Sequence, residues 1–126
     1  MSLELKGVDV AGDFLGDHRP ENINFFSIWV TVTVGPKNEV GGSLYNFHVC
    51  SPDWLKYAVE CETDNGYLWG LHTLIVNEFN SVKIEEALKN KVNEVVKKFP
   101  QYTDTELAKV ISRYGHWEFE DYQPNT

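Results

Sequence analysis

One short segment near the end of the chain holds the side chains best suited to chemistry or recognition. HWEFEDY, residues 116–122, alternates aromatic rings with carboxylates. Because neighbouring side chains of a strand point to opposite faces, Trp117 and Phe119 share one face. Glu118 and Glu120 share the other, and they are expected to face water because an unpaired carboxylate is costly to bury. The segment is therefore predicted to be a half-buried strand with an acidic outer row.

This acidic row is compatible with two functions and one structural role. Glu118 and Glu120, about 7 Å apart on one strand face, have the residue types of a general acid and base, although such a pair works in a cleft. As an exposed row, joined by Asp121 at the strand end, they form a docking surface for a basic partner. The structural role is a solvated strand face whose charges prevent edge-to-edge aggregation.

The histidines and cysteines lack the spacing of a metal or nucleophile site. His18, His48, His72 and His116 are scattered, without the HxH, HExxH or CxxC patterns that hold zinc. No glycine-rich phosphate loop follows a predicted strand. We therefore predict no metal and no cofactor. Cys50 ends an apolar strand, and this position predicts a buried thiol.

The acidic balance of the chain restricts its partners. The 19 Asp and Glu residues outnumber the 11 Lys and Arg residues, for a formal charge of −8. This balance argues against nucleic-acid binding, which depends on basic side chains that neutralise phosphates. Residues 81–99 are locally basic, with five Lys against three Glu, whereas the rest of the chain is acidic and favours a basic protein partner. The candidate contact residues are Glu60, Glu62, Asp64, Glu118, Glu120 and Asp121.

Length and composition predict one domain over residues 1–126. Apolar residues make up 42% of the 126, which is enough for a core without disulfides or a structural metal. The first residues lack the apolar stretch of a signal peptide, and no apolar run is long enough to cross a bilayer. We therefore expect a cytoplasmic protein that does not bind membranes.

Periodicity and turn residues divide the chain into strands that come mainly first and helices that come later. Alternating or β-branched runs predict strands at 3–10, 25–34, 43–50, 67–76 and 116–122, and turn formers predict a loop at 12–24. Capping residues and helical spacing predict a short helix after Ser51, a long helix over 82–99, and a third over 103–115 with Gly115 as its stop. The fold class is therefore α+β: a single antiparallel or mixed sheet of about five strands, with two or three helices packed mainly on one face.

Four ordered motifs carry a resemblance to a known family. They are TVGP at 33–36, CSPDWL at 50–55, HTLIVNEFN at 72–80 and RYGHWEFEDY at 113–122. Their order and spacing resemble the immunity protein 8 family of bacterial polymorphic toxin systems, over about residues 25–122. The resemblance implies a small non-enzymatic protein, encoded beside a toxin gene, that binds a cognate toxin domain. It also implies a scaffold role for Gly35, Pro36, Trp54 and Trp117, and a contact role for the acidic residues of WEFEDY.

The resemblance and the charge together predict that the protein neutralises a toxin. It would cover the active site or substrate groove of a basic, nuclease-like toxin domain with an acidic surface. Trp29 and Tyr45 are candidate aromatic anchors if they are exposed, and core residues if they are not. The alternative is a small hydrolase or transferase that uses Glu118, Glu120 or a histidine. A deep pocket with convergent polar groups favours the enzyme, and a flat, acidic, partly aromatic surface favours the binding protein.

Overall fold

The structure, a computed structural model, describes residues 3–118, which form one six-stranded sheet and three helices. The elements in chain order are β1 (Leu3–Val10), β2 (Asp13–Phe14), β3 (Ser27–Pro36), β4 (Ser43–Cys50), α1 (Pro52–Cys61), β5 (Thr73–Ile75), α2 (Ser81–Lys98), α3 (Asp104–Ile111) and β6 (His116–Trp117). A single 3₁₀ turn, Leu15–Asp17, follows β2. The predicted α+β class is confirmed.

The strands lie in the order β2-β1-β3-β4-β5, and β6 also pairs with β4. All pairs are antiparallel except β4 with β5, which run parallel and are connected through α1. Because β3 occupies one edge of β4, β5 and β6 share the other. β6 pairs with Tyr45 and Asn46, and β5 pairs with residues 48–50. Two segments distant in sequence thereby meet on one edge of β4.

The core lies between one face of the sheet and helices α2 and α3. Val30, Val32 and Val34 of β3 alternate into this core, as their spacing predicts. The buried side chains of α2 follow steps of three and four residues, and they are Ile84, Leu88, Val92 and Val95. Burial of this face fixes the register of the sheet, so the remaining side chains of β3 and β4 point to the opposite, open face.

Local signals set the starts and ends of the helices. The Ser51 hydroxyl accepts a hydrogen bond from the Trp54 amide at the start of α1. Thr103 and Glu106 form both bonds of the predicted capping box at the start of α3. α2 ends two residues before Pro100, which cannot continue a helix. These predictions are confirmed.

The strand predicted at 67–76 is wrong over its first half. Only Thr73–Ile75 pairs with β4, whereas residues 67–72 form a loop. The extended chain is interrupted at His72, whose backbone is left-handed with a φ of 54°. The loop predicted at 12–24 contains the short strand β2. The predicted strand positions from 119 to 122 lie outside the described residues.

Gly115 has a packing role rather than the predicted role of a helix stop. α3 already ends at Ile111, and Gly115 lacks the left-handed backbone of a terminating glycine. A Cβ atom at this position would lie against the ring of Phe47, 2.8 Å from Cε2 and closer to Cε1 and Cζ. The missing side chain therefore lets the chain pass close to Phe47 before it enters β6.

Candidate functional site

A groove of about 720 Å³ lies on the open face of the sheet, away from α2 and α3. Three of the side chains that line the groove come from β3 and β4, where strand alternation points them away from the core. The rest of the lining comes from α1, β5, β6 and the loop before β5. The groove is lined by Trp29 of β3, Asn46 and His48 of β4, Trp54 and Leu55 of α1, residues 68–72 of the loop, Thr73 of β5 and His116 of β6. This cavity is termed the open-face groove.

Two indole rings enclose the imidazole of His48 in this groove. The Trp29 ring lies 5.1 Å from the His48 ring, at an interplanar angle of 31°. The Trp54 ring approaches the same imidazole edge-on, also at 5.1 Å. Trp29 remains 58% exposed, so it is available as an aromatic anchor. Tyr45, the other candidate anchor, is only 1% exposed and belongs to the core.

Hydrogen bonds define the tautomer of His48. The Thr73 hydroxyl donates to the Leu71 carbonyl at 3.0 Å, so it accepts from His48 Nδ1 at 3.4 Å. His48 Nε2 then accepts from the Ser27 hydroxyl at 2.6 Å. Burial lowers the pKa of His48, because removal from water disfavours the imidazolium. At neutral pH the ring is therefore an uncharged, fixed part of the groove.

The loop of residues 67–72 is held on the open face by its last residue. The His72 carbonyl accepts from the His48 amide at 2.9 Å. His72 Nε2 donates to the Ser112 carbonyl, just beyond α3, at 3.0 Å. The ring of His116 lies 5.7 Å from the His72 ring, edge to face. One loop end is thus fixed to β4, to the end of α3 and to β6.

The same loop exposes an unusual concentration of large apolar side chains. Trp69 is 86% exposed, and Tyr67, Leu68 and Leu71 are also exposed. Single exposed apolar residues are normal, but a contiguous group beside a groove marks a site of interaction. Together with Trp29 they form an exposed aromatic and apolar surface beside the open-face groove.

The predicted contact residue Glu118 is exposed beside the start of β4. Its amide donates to the Leu44 carbonyl at 3.0 Å, and its Oε1 accepts from the Leu44 amide at 3.1 Å. Burial, and in second place the charge of Glu118, raises the pKa of the Tyr45 phenol. The other two acidic residues of this segment, Glu120 and Asp121, lie outside the described residues.

The second predicted acidic segment lies at the C-terminal end of α1 and in the loop after it. Its exposed members are Glu60, Glu62 and Asp64. Both acidic segments lead directly to the open-face groove. Leu68, four residues beyond Asp64, lines the groove, and so does His116, two residues before Glu118. Glu118 and the loop after α1 are therefore each connected to the groove through a few residues of chain.

The polar groups of the open-face groove are poorly suited to catalysis. The Ser27–His48 hydrogen bond pairs a nucleophile type with a base type, but the second imidazole nitrogen meets the Thr73 hydroxyl and not a carboxylate. The lowered pKa of His48 also makes it a weaker base. Within residues 3–118, no three His, Cys, Asp or Glu side chains are grouped so that they could hold a metal ion. The mainly apolar lining suits binding better than bond cleavage.

Sequence reasoning missed this groove because it assigned residues 67–76 to a strand. The signal was present in LWGL, residues 68–71, where large apolar residues flank a glycine without the alternation of a half-buried strand. A second signal was Trp29, which falls on the face of β3 that the core valines do not use.

Comparisons with known proteins identify the family. A search of curated proteins and a search of solved structures each found no significant match to this chain. No helix within residues 3–118 is long and apolar enough to cross a membrane. The family model of immunity protein 8 matches residues 3–122 of the 126, nearly the whole chain. The resemblance carried by the four sequence motifs is thereby confirmed, and the chain belongs to the immunity protein 8 family.

Proposed function

We propose that this protein binds a cognate toxin domain and neutralises it by covering its active site or substrate groove. The observation that carries the proposal is membership of the immunity protein 8 family over residues 3–122. A groove lined mainly by aromatic and apolar side chains supports a binding role rather than a catalytic one. An interface of roughly 1,600 Å² in total is sufficient for stable occlusion.

The partner in this proposal is a basic, nuclease-like toxin domain in the cytoplasm. The formal charge of −8 supports a basic partner, because unlike charges accelerate encounter and align the two proteins. The proposed contacts are the exposed residues Glu118, Glu60, Glu62 and Asp64, with Glu120 and Asp121 after Glu118. Such rim carboxylates contribute more to the association rate than to the final affinity.

Co-expression with the toxin domain encoded beside this gene tests the function. We expect restored growth of the producing cell and a stoichiometric complex that co-purifies. A toxin that kills equally well with and without this protein, and that does not co-purify with it, would contradict the proposal.

A charge-reversal pair tests the acidic contacts separately. Glu118→Lys with Glu120→Lys should slow association and flatten its dependence on salt, because attractive charges are lost. The matched control is Glu85→Lys with Glu86→Lys, which makes the same change of net charge on exposed positions of α2. Equal association rates for the two double variants would remove Glu118 and Glu120 from the interface.

A small hydrolase is the second candidate, favoured by the 2.6 Å contact between Ser27 Oγ and His48 Nε2. Hydrolysis of p-nitrophenyl acetate by the wild type and by Ser27→Ala distinguishes it. Equal rates would eliminate Ser27 as a nucleophile, and a loss of about a hundredfold or more would support the enzyme.

A further inference from the structure

We propose that the open-face groove is the docking site for the toxin, and that its occupant is a toxin loop carrying an arginine or lysine side chain. This inference rests on the proposed function and adds the place and the chemistry of contact. The acidic residues alone predict a rim that attracts the partner. The groove supplies the indole rings that bind the partner's cation.

The first observation is exposure of two indoles on one side of the molecule. Trp29 is 58% exposed and Trp69 is 86% exposed, although tryptophan is a residue that folding normally buries. Residues that dominate binding energy at protein interfaces are enriched in tryptophan. Exposed indoles beside a groove therefore indicate a contact surface that is completed by a partner.

The second observation is that the groove is preorganised. His48 is fixed by hydrogen bonds to Ser27 and Thr73, and its ring supports that of Trp29. His72 anchors the loop that carries Trp69. The Trp29 ring is already held in place and loses little freedom on binding, so more of its contact energy appears as affinity.

The third observation is electrostatic. Among the described residues that line the groove, none is lysine, arginine, aspartate or glutamate, so the nearest carboxylates lie at its rim. Glu118 lies two residues beyond the lining residue His116, so strand alternation places it on the same face, and Asp64 precedes the loop at the other end. A cation over an indole face is attracted by the ring, and nearby carboxylates add to that attraction. The basic helix α2 packs on the other face of the sheet, away from the groove.

Charge favours a basic toxin loop over a second copy of this chain. The groove volume of about 720 Å³ is more than one side chain fills, so a loop of several residues can enter it. A second copy of this chain would bring another −8 formal charge and two sets of rim carboxylates together. A basic loop can place its cation against the indole rings and near the rim carboxylates at the same time.

Isothermal titration calorimetry with the toxin domain encoded beside the gene, catalytically inactivated, provides the test. Trp29→Ala and Trp69→Ala should each raise the dissociation constant at least about 30-fold, as expected for residues that dominate an interface. The matched control is Phe14→Ala, which removes a ring that is 70% exposed on β2, at the far edge of the sheet. It should stay within about threefold of the wild type. A cooperative urea-unfolding transition close to that of the wild type verifies that each variant is folded.

Three outcomes overturn parts of the inference. If all three alanine variants bind like the wild type, or weaken alike, the groove is not the docking site while the proposed function stands. If the wild type itself does not bind, the proposed function and this inference both fail. Trp29→Leu tests the cation, because it keeps an apolar surface but loses the indole quadrupole. Wild-type affinity in Trp29→Leu would refute a cation at that ring.

Discussion

Gly115→Ala is expected to destabilise the protein through one identifiable overlap. The added methyl group would lie 2.8 Å from Cε2 of Phe47 and closer still to Cε1 and Cζ. Carbon atoms in cores are normally separated by about 3.5–4.0 Å. Phe47 is buried in the core, so its ring cannot turn into solvent to make room. The backbone before β6 must move instead.

The magnitude follows from two opposing effects. Overpacking of a core costs about 1–3 kcal/mol. Replacing glycine with alanine also reduces the entropy of the unfolded chain, which offsets about 0.4–1 kcal/mol. We therefore expect a net loss of about 1–2 kcal/mol in the free energy of unfolding. For a chain of this size, that corresponds to a decrease of about 4–8 °C in Tm.

Urea and thermal unfolding of matched variants measure this effect. The control is Gly16→Ala, because a Cβ atom there would have no neighbour within 4 Å. It should leave stability unchanged or raise it by up to about 1 kcal/mol, because only the entropy of the unfolded chain changes. Adding Phe47→Leu should recover part of the loss, so the double variant should be less destabilised than the sum of the single changes. Gly115→Ala as stable as Gly16→Ala would refute the packing role of Gly115.

Three further predictions concern the rest of the molecule. Burial lowers the pKa of His48 below its ordinary 6.5, so the unfolded chain binds a proton at higher pH than the folded chain does. The free energy of unfolding should therefore decline as pH falls from about 6.5 through the folded-state pKa. His48→Gln should reduce this decline in urea titrations at pH 7.5 and pH 5. Thr103→Ala removes the hydroxyl that caps α3 and should cost about 1 kcal/mol in urea unfolding, whereas Thr103→Ser should cost little. A thiol reagent should modify the exposed Cys61 rapidly in the native protein and Cys50 only after denaturation. Cys50 is fully buried, and burial raises the pKa of its thiol. Rapid modification of both thiols at neutral pH in the native protein would contradict this.

The parts of the fold that depend on local periodicity were predictable from the sequence. The valines of β3 alternate with a period of two, and the apolar residues of α2 recur every three or four positions, so both buried faces were identified correctly. Ser51 and Thr103 fix helix starts through bonds to amides three residues away. Such signals are contained within a few residues and need no knowledge of the rest of the chain.

The candidate site depends on contacts that no local pattern contains. His72 leaves the strand conformation and bonds to Ser112, which is 40 residues away. Trp29 lies beside His48 because β3 and β4 pair in one particular register. The apolar run at 67–76 is consistent with a strand until these long-range bonds are known, so the exposed loop and its groove emerge only from the structure. The acidic contact residues, by contrast, were proposed from charge, strand alternation and the family resemblance.

Hydrogen–deuterium exchange of this protein, free and bound to the toxin domain encoded beside its gene, tests the central claim most directly. If the open-face groove receives the toxin, amides of residues 67–72 and of β6 should exchange more slowly in the complex, while those of α2 should be unchanged. Protection confined to α2 and α3, or no protection anywhere, would contradict the account.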